Sequence, residues 1–169
     1  EASLYEAKLI VVGEPGAGKT SLTRKLMDSS APLPNKTEST EGIDVHSWTF
    51  PLPDKQPSEI INTSDAEFRV NIWDFGGQEI YHATHQFFLT RRSLYIIVAD
   101  AREQKTDFYH WLDLIEHLSN RSPVIIFNNE IQDRHWAINE QQLEAYFSKS
   151  FQRPAAFNLA KDIGKLNEL

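Results

Sequence analysis

Cysteine is absent from the 169 residues, which excludes disulfides and thiolate metal centres. The absence also fits a cytoplasmic protein, because disulfides belong to oxidising compartments. No apolar run approaches the roughly 18 residues of a membrane-spanning helix, so no direct membrane insertion is expected. A secretory leader is missing too, and the chain opens at Glu1 rather than Met, so it reads as a fragment of something longer. Positive charge is in short supply. Seventeen Lys and Arg against 24 Asp and Glu give a net charge of −7, which argues against nucleic acid or an anionic membrane as the main partner. Any phosphate this chain holds must therefore be held by local geometry. Repeats and low-complexity tracts are also lacking. What is present is 40% hydrophobic and 11% aromatic residues, enough to build the core of one domain spanning residues 1–169 and too little chain for two.

The stretch that organises the rest is Gly13-Glu14-Pro15-Gly16-Ala17-Gly18-Lys19-Thr20-Ser21. It has the spacing G-x-x-x-x-G-K-T, and follows the apolar run Leu9-Ile10-Val11-Val12. Leu22 and Leu26 then fall four residues apart, on one face of a helix. Strand, glycine loop and helix together are the context a phosphate-binding loop requires. Glycines let the backbone curl without a Cβ penalty. Successive N–H groups then face an anion, and the following helix adds its positive end. Lys19 is positioned to reach β- and γ-phosphate oxygens, and Thr20 to ligate Mg²⁺. The plainer reading, a glycine-rich turn before a helix, leaves the flanks unexplained.

Along the chain, a polar, Pro-containing stretch from Asp28 to Glu41 reads as loop. Ile43, Val45, Trp48 and Phe50 suggest a strand over 43–50 with an irregularity near Ser47. Residues 51–66 read as a solvated connection. Phe68 to Trp73 then alternates with the period of a half-buried strand, so a hairpin and a mixed sheet are expected. A helix is expected over 79–90, and Ser93 to Asp100 reads as a buried strand. Phe108, Trp111, Leu112, Ile115 and Leu118 mark a helix over 106–120. Val124 to Phe127 is another buried strand, Asn139 with Gln142 resembles a capping box, Ala155 to Leu159 is a last strand, and a helix starts near Ile163. Alternating strands and helices indicate an α/β fold with a mixed, mostly parallel six-stranded sheet covered on both faces. The segments at 13–20, 74–79, 128–133 and 158–161 each end a strand, and ligands of such sheets bind along that rim.

Within Asp74-Phe75-Gly76-Gly77-Gln78-Glu79, Asp74 stands where an acid would hold Mg²⁺ through water; capping of the next helix is the alternative. Gly77 can offer a backbone N–H to a γ-phosphate. Gln78 can orient an attacking water, because its amide both accepts and donates, although an exposed polar residue in a turn would look the same. Thr40 can give Mg²⁺ a second hydroxyl; Thr37 and Ser39 compete, and Gly42-Ile43 following Thr40 favours it. His82 and His85 lack acids or cysteines at ligand spacing and read as ordinary helix residues. Arg91 and Arg92 suit either an arginine finger or, more simply, a helix C-terminus. The four tryptophans read as core or partner-facing.

The 13–21 loop, Thr40-Glu41-Gly42-Ile43-Asp44-Val45 and Asp74-Phe75-Gly76-Gly77-Gln78-Glu79 together resemble a Ras-type small GTPase, and more narrowly the Roc domain of Roco proteins. Phe87 to Tyr95 and Asp100-Ala101-Arg102-Glu103 are similar to bacterial members of that family. The resemblance spans essentially the whole chain. It implies GTP and GDP binding with Mg²⁺, slow GTP hydrolysis, and a following COR domain that often mediates a homodimer. One departure stands out. The guanine-reading motif of the family is N-K-x-D, and here the chain reads Asn128-Asn129-Glu130-Ile131-Gln132-Asp133. The Lys is missing, and the Asp is either replaced by Gln132 or shifted to Asp133 through a one-residue bulge, the reading favoured here. The family's second base-contacting segment falls on Asn158, Leu159 and Ala160, where backbone donors would serve, with Lys161 able to cover the ring. The combined expectation is a guanine-nucleotide switch with GTPase activity. A nucleotide-responsive interaction module with negligible turnover and a P-loop ATPase stand as alternatives.

Overall fold

The computed structural model describes residues 5–35, 40, 42–51, 67–76, 93–119, 122–147 and 151–157, with Leu118 and 151–157 as backbone alone. Leu9 to Val12 are almost wholly buried in β1 (Glu6–Gly13), the strand that runs into the glycine loop. The loop hands over to α1 (Lys19–Met27). Strands β2 (Ile43–Pro51) and β3 (Glu67–Phe75) form the expected hairpin pair, antiparallel to each other. The remaining elements are β4 (Ser93–Asp100), α2 (Phe108–Ser119), β5 (Val124–Asn129), α3 (Glu140–Tyr146) and β6 (Phe151–Phe157). The sheet order is β2-β3-β1-β4-β5-β6, and every pairing except β2 with β3 is parallel. This is the Ras-like α/β arrangement the sequence implies. Among the described residues, no helix is long and apolar enough to cross a membrane.

Successive strand residues point to opposite faces, and each face has its own core. Ile10, Val12, Tyr95, Ile97 and Ile126 meet Trp111, Leu112 and Ile115 of α2 and Leu143 of α3 on one side. Leu9, Val11, Ile72, Ile96 and Val98 meet Leu22 of α1 on the other, with Leu26 packed against them. Because β1, β3, β4 and β5 run in parallel, their carboxyl ends emerge along one edge. Val11 pairs with Asp74, Gly13 with Val98, and Asp100 with Asn129. The rim therefore collects the loop, the Asp74 segment and the Asn128-Asn129 segment.

Three boundaries differ from the sequence reading. The irregularity near Ser47 does not exist: pairing runs unbroken from Ile43 opposite Phe75 to Pro51 opposite Glu67. His46, Trp48 and Phe50 simply share one face, where the Trp48 and Phe50 rings lie 4.9 Å apart and Phe50 stacks on Phe68 at 5.5 Å. Helix α2 starts at Phe108 rather than 106, because the Asp107 carboxylate accepts the His110 N–H at 3.0 Å and so caps the first turn. Strand β6 starts at Phe151 rather than Ala155. Its register against β5 slips between Ile125 and Phe127, opposite the stretch holding Pro154, a bulge that accommodates a residue with no N–H to give. The Asn139 cap is present, its Oδ1 accepting Gln142 N–H at 3.1 Å. The helices expected at 79–90 and near Ile163 lie outside the described residues.

Ile97 sits on the central pair of strands with no exposed surface. Ile97→Ala should cost about 3–4 kcal/mol, read as a lower urea midpoint at unchanged m-value.

Candidate nucleotide-binding site

The glycine loop takes its shape from three positions. Gly13 has φ 145°, and a Cβ there would overlap the Val98 carbonyl of the neighbouring strand, so β1 and β4 can close this tightly only around a glycine. Gly16 and Gly18 turn the chain at φ 77° and 99°. Pro15 and Gly16 are exposed at the tip, Ala17 is buried, and Ser21 is half-buried in the first turn of α1. Gly18 caps α1 in a left-handed conformation, with no side-chain cap and no acidic residue in the first turn. The amides of that turn thus keep their positive end for an external anion.

Lys19 is 6% exposed, and its Nζ doubles back to donate to the carbonyls of Gly13 at 3.0 Å and Glu14 at 2.9 Å. Burial pushes its pKa down to about 8 against the opposing pull of Asp74 and Glu14. Next to it, the Thr20 and Thr40 hydroxyls stand 2.9 Å apart. Asp74 has no exposed surface, and neither carboxylate oxygen has a hydrogen-bond partner among the described residues. Its pKa is raised by burial; the nearby Thr20 hydroxyl, the Lys19 ammonium and His46 oppose the rise, and Asp44, directly across the hairpin, adds to it. Thr20 is engaged with Thr40, so these charges act on the carboxylate without a hydrogen bond to it from any described residue. Two hydroxyls and an unpaired carboxylate form an oxygen set of the kind a hard divalent cation takes. Among the described residues there is no cluster of three His, Cys, Asp or Glu side chains able to hold a metal. Gly76 ties this corner together: its N–H donates to the Gly42 carbonyl at 2.9 Å, and a Cβ on it would overlap the Thr40 carbonyl.

At the far end of the rim, Asn129 is 2% exposed and donates from Nδ2 to the Ala17 carbonyl at 2.9 Å, with Gly18 so close that a Cβ would strike the amide. This contact fixes the register of the segment that follows. Glu130 comes directly after the anchoring asparagine, Gln132 third and Asp133 fourth. Gln132 and Asp133 are both exposed and both left-handed, at φ 58° and 55°. Glu130 pairs with His135 Nδ1 at 2.7 Å, and that hydrogen bond and charge raise the histidine pKa.

Two contacts on the loop have no counterpart in the sequence reading. Asp100, at the end of β4, holds Arg102 through Oδ1 to Nε at 3.0 Å and Oδ2 to Nη2 at 2.6 Å, and Nη2 lies 3.5 Å from the Gly16 carbonyl. Burial alone would raise the Asp100 pKa; the Arg102 hydrogen bonds and charge more than reverse this, and it is lowered. An acid closing a buried strand, two residues before an arginine, was the available signal. The other contact runs from Trp111 Nε1 to the Glu14 carboxylate at 3.3 Å. Nothing in the spacing of Trp111 distinguishes it from its core neighbours. Gly77, Gln78, Asn158, Leu159 and Ala160 lie outside the described residues, as do Thr37, Ser39, His82, His85, Arg91, Arg92 and Lys161.

Residues 8–132 match the family described as "Ras of Complex, Roc, domain of DAPkinase". The chain belongs to the Roc family. This Roc chain is 37% identical over 155 residues to a Roc-COR-CHAT protease of Runella zeae, covering 85% of itself and 16% of that protein. It is 33% identical over 138 residues to the probable serine/threonine-protein kinase pats1 of Dictyostelium discoideum, covering 76% of itself and 4% of the kinase. A solved structure, Methanosarcina barkeri Roco2 RocCORdC bound to GDP, superposes with a TM-score of 0.76 at 35% identity, over 98% of this chain and 48% of that one. The Roc chain thus spans less than half the length of these relatives.

A lysine whose folded pKa, about 8, lies below its ordinary 10.5 makes folding costly at every pH below 8, and the cost fades as pH rises towards 10.5. Lys19→Met should therefore stabilise the nucleotide-free chain at pH 7 by on the order of 2–3 kcal/mol. The difference between the two proteins in chemical denaturation should shrink between pH 8 and 10.5.

Proposed function

We propose that this Roc domain binds GDP and GTP with Mg²⁺, hydrolyses GTP slowly, and passes its nucleotide state to a following COR domain. The observation that carries the reading is the pairing of a buried Lys19, parked on its own loop carbonyls, with a buried Asp74 whose carboxylate has no hydrogen-bond partner among the described residues. A polyphosphate would give the ammonium its missing anion, and a divalent cation would give the carboxylate its missing charge. The loop from Gly13 to Ser21 would wrap the phosphates with backbone amides, Lys19 neutralising the β/γ oxygens. Thr20 and Thr40 would ligate Mg²⁺ and Asp74 would hold it through water; the ion supplies charge neutralisation on the phosphate oxygens. Gly77 would donate to the γ-phosphate and Gln78 would orient water. Unassisted hydrolysis at Ras-type sites runs at about 10⁻⁴ per second, so the output is a conformational change rather than flux.

For the base, Asn129 would brace the loop through its bond to the Ala17 carbonyl, Asp133 would accept the guanine N–H groups, and Asn158, Leu159 and Ala160 would donate backbone N–H groups to the base carbonyl. The relatives named for Roc and COR, and the RocCOR structure bound to GDP, support guanine nucleotide as ligand and COR as neighbour. A homodimer through that neighbour and a cytoplasmic setting complete the reading. The domain itself would span residues 1–169.

One observation favours a second reading. If Asn129, held on the Ala17 carbonyl, is taken as the motif's Asn, Glu130 falls at its Lys and Gln132 at its Asp. A neutral amide accepts only one of guanine's two hydrogens, which weakens the discrimination against adenine and points to a P-loop ATPase. Competition between GDP and ADP for the chain decides between them: at least a hundredfold preference for GDP is expected, and comparable affinities overturn the guanine assignment.

Single-turnover hydrolysis of GTP tests the enzyme. Gln78→Leu should slow it tenfold or more. Equal, near-zero rates in wild type and variant would mark an interaction module without turnover.

A further inference from the structure

Glu14 is an oddity of this loop. It places a carboxylate immediately after Gly13, in a segment whose amides and lysine would otherwise present only positive charge to an anion. Its own backbone carbonyl accepts Lys19 Nζ at 2.9 Å, and its side-chain charge acts on Lys19. Left free to swing, that carboxylate would compete with phosphate for the ammonium and repel the ligand. It is not left free. Oε1 accepts the indole N–H of Trp111 at 3.3 Å, a contact spanning 97 residues of sequence.

Trp111 is built to hold still. It is 1% exposed and packed in the α2 face of the core, and its backbone N–H donates to the Asp107 carbonyl at 3.1 Å in the first turn of α2. The indole offers one donor and no acceptor, so it can take a carboxylate oxygen and cannot be turned to serve the lysine instead. A buried tryptophan usually finds some partner for its N–H. What is particular here is which partner it finds: the one acidic side chain of the phosphate-binding loop.

We propose that Trp111 is a positioning residue for nucleotide binding, its indole N–H holding the Glu14 carboxylate away from Lys19 and the space a polyphosphate takes. The inference rests on the nucleotide-binding reading above. It extends that reading to a helix that touches no ligand, and makes the first turn of α2 part of the loop's support.

The test is a double-mutant cycle on fluorescent mant-GDP binding with Mg²⁺, with wild type and Lys19→Ala setting the range. Trp111→Phe keeps an aromatic ring and removes the donor; it should bind at least tenfold more weakly than wild type. Adding Glu14→Gln to it removes the charge the indole restrained, and should bring affinity back to within about threefold of wild type. Unchanged affinity in Trp111→Phe, or a loss that Glu14→Gln does not repair, overturns the proposal while leaving nucleotide binding intact. A wild type that binds no better than Lys19→Ala overturns the nucleotide reading itself. Should Trp111→Phe fail to fold, the indole N–H proton resonance of Trp111 in the otherwise native chain answers the same question. It should move upfield in Glu14→Ala and stay near its native position in Glu14→Gln; an unmoved resonance in Glu14→Ala overturns the proposal.

Discussion

A buried ammonium and a buried carboxylate face one loop, and neither is satisfied by the other. Lys19 turns to the carbonyls of Gly13 and Glu14, and Asp74 finds no hydrogen-bond partner among the described residues. A fold with a net charge of −7 has no long-range positive field with which to collect phosphate, so any phosphate must be held by local geometry such as this corner offers. The parallel sheet makes the corner possible. It brings the carboxyl ends of β1, β3, β4 and β5 to one edge, and only glycine at position 13 allows β1 to pass the Val98 carbonyl closely enough for the loop to begin where it does. Both charged groups are displaced from their ordinary pKa values by burial, in the directions that disfavour their charges. The nucleotide-free fold thus carries strain of an electrostatic kind, which a ligand of matching charge would relieve.

Much of this was readable in the chain. Period-two alternation in Phe68 to Trp73 and the unbroken apolar runs of β4 and β5 located the strands, because a strand with one buried face alternates and a strand buried on both faces does not. The loop motif pointed to the candidate site, because few other backbones need glycine at both ends and lysine next. What escaped was of two kinds. Ends of elements depend on single hydrogen bonds, such as Asp107 capping α2 or the slip of β6 around Pro154, which local propensity does not weigh. Contacts across long sequence distances escaped as well. Arg102 with the Gly16 carbonyl at the loop tip, and Trp111 with Glu14, arise because the fold brings the end of β4 and the first turn of α2 to the loop that follows β1, and no window on the sequence contains both partners.

The Asn128-Asn129 segment shows the two kinds of information meeting. Sequence alone left its alignment open between Gln132 and Asp133. The structure adds that the amide of Asn129 donates to the Ala17 carbonyl, tying this segment to the loop. The chain then makes two left-handed residues in succession, at Gln132 and Asp133, a costly shape for residues with a Cβ. Strain of this size at a ligand rim is more informative than the identity of either residue.

Gly76 has one further consequence. Its amide is bonded to Gly42 and its α-carbon lies against the Thr40 carbonyl with no room for a methyl group. The strand that carries Asp74 and the segment that delivers Thr40 to Thr20 are therefore geared together: one cannot retreat without unmeshing the other. Whatever draws Thr40 inward bears on Gly76 in the same stroke, so the end of the hairpin and the segment carrying Thr40 are joined as one mechanical unit.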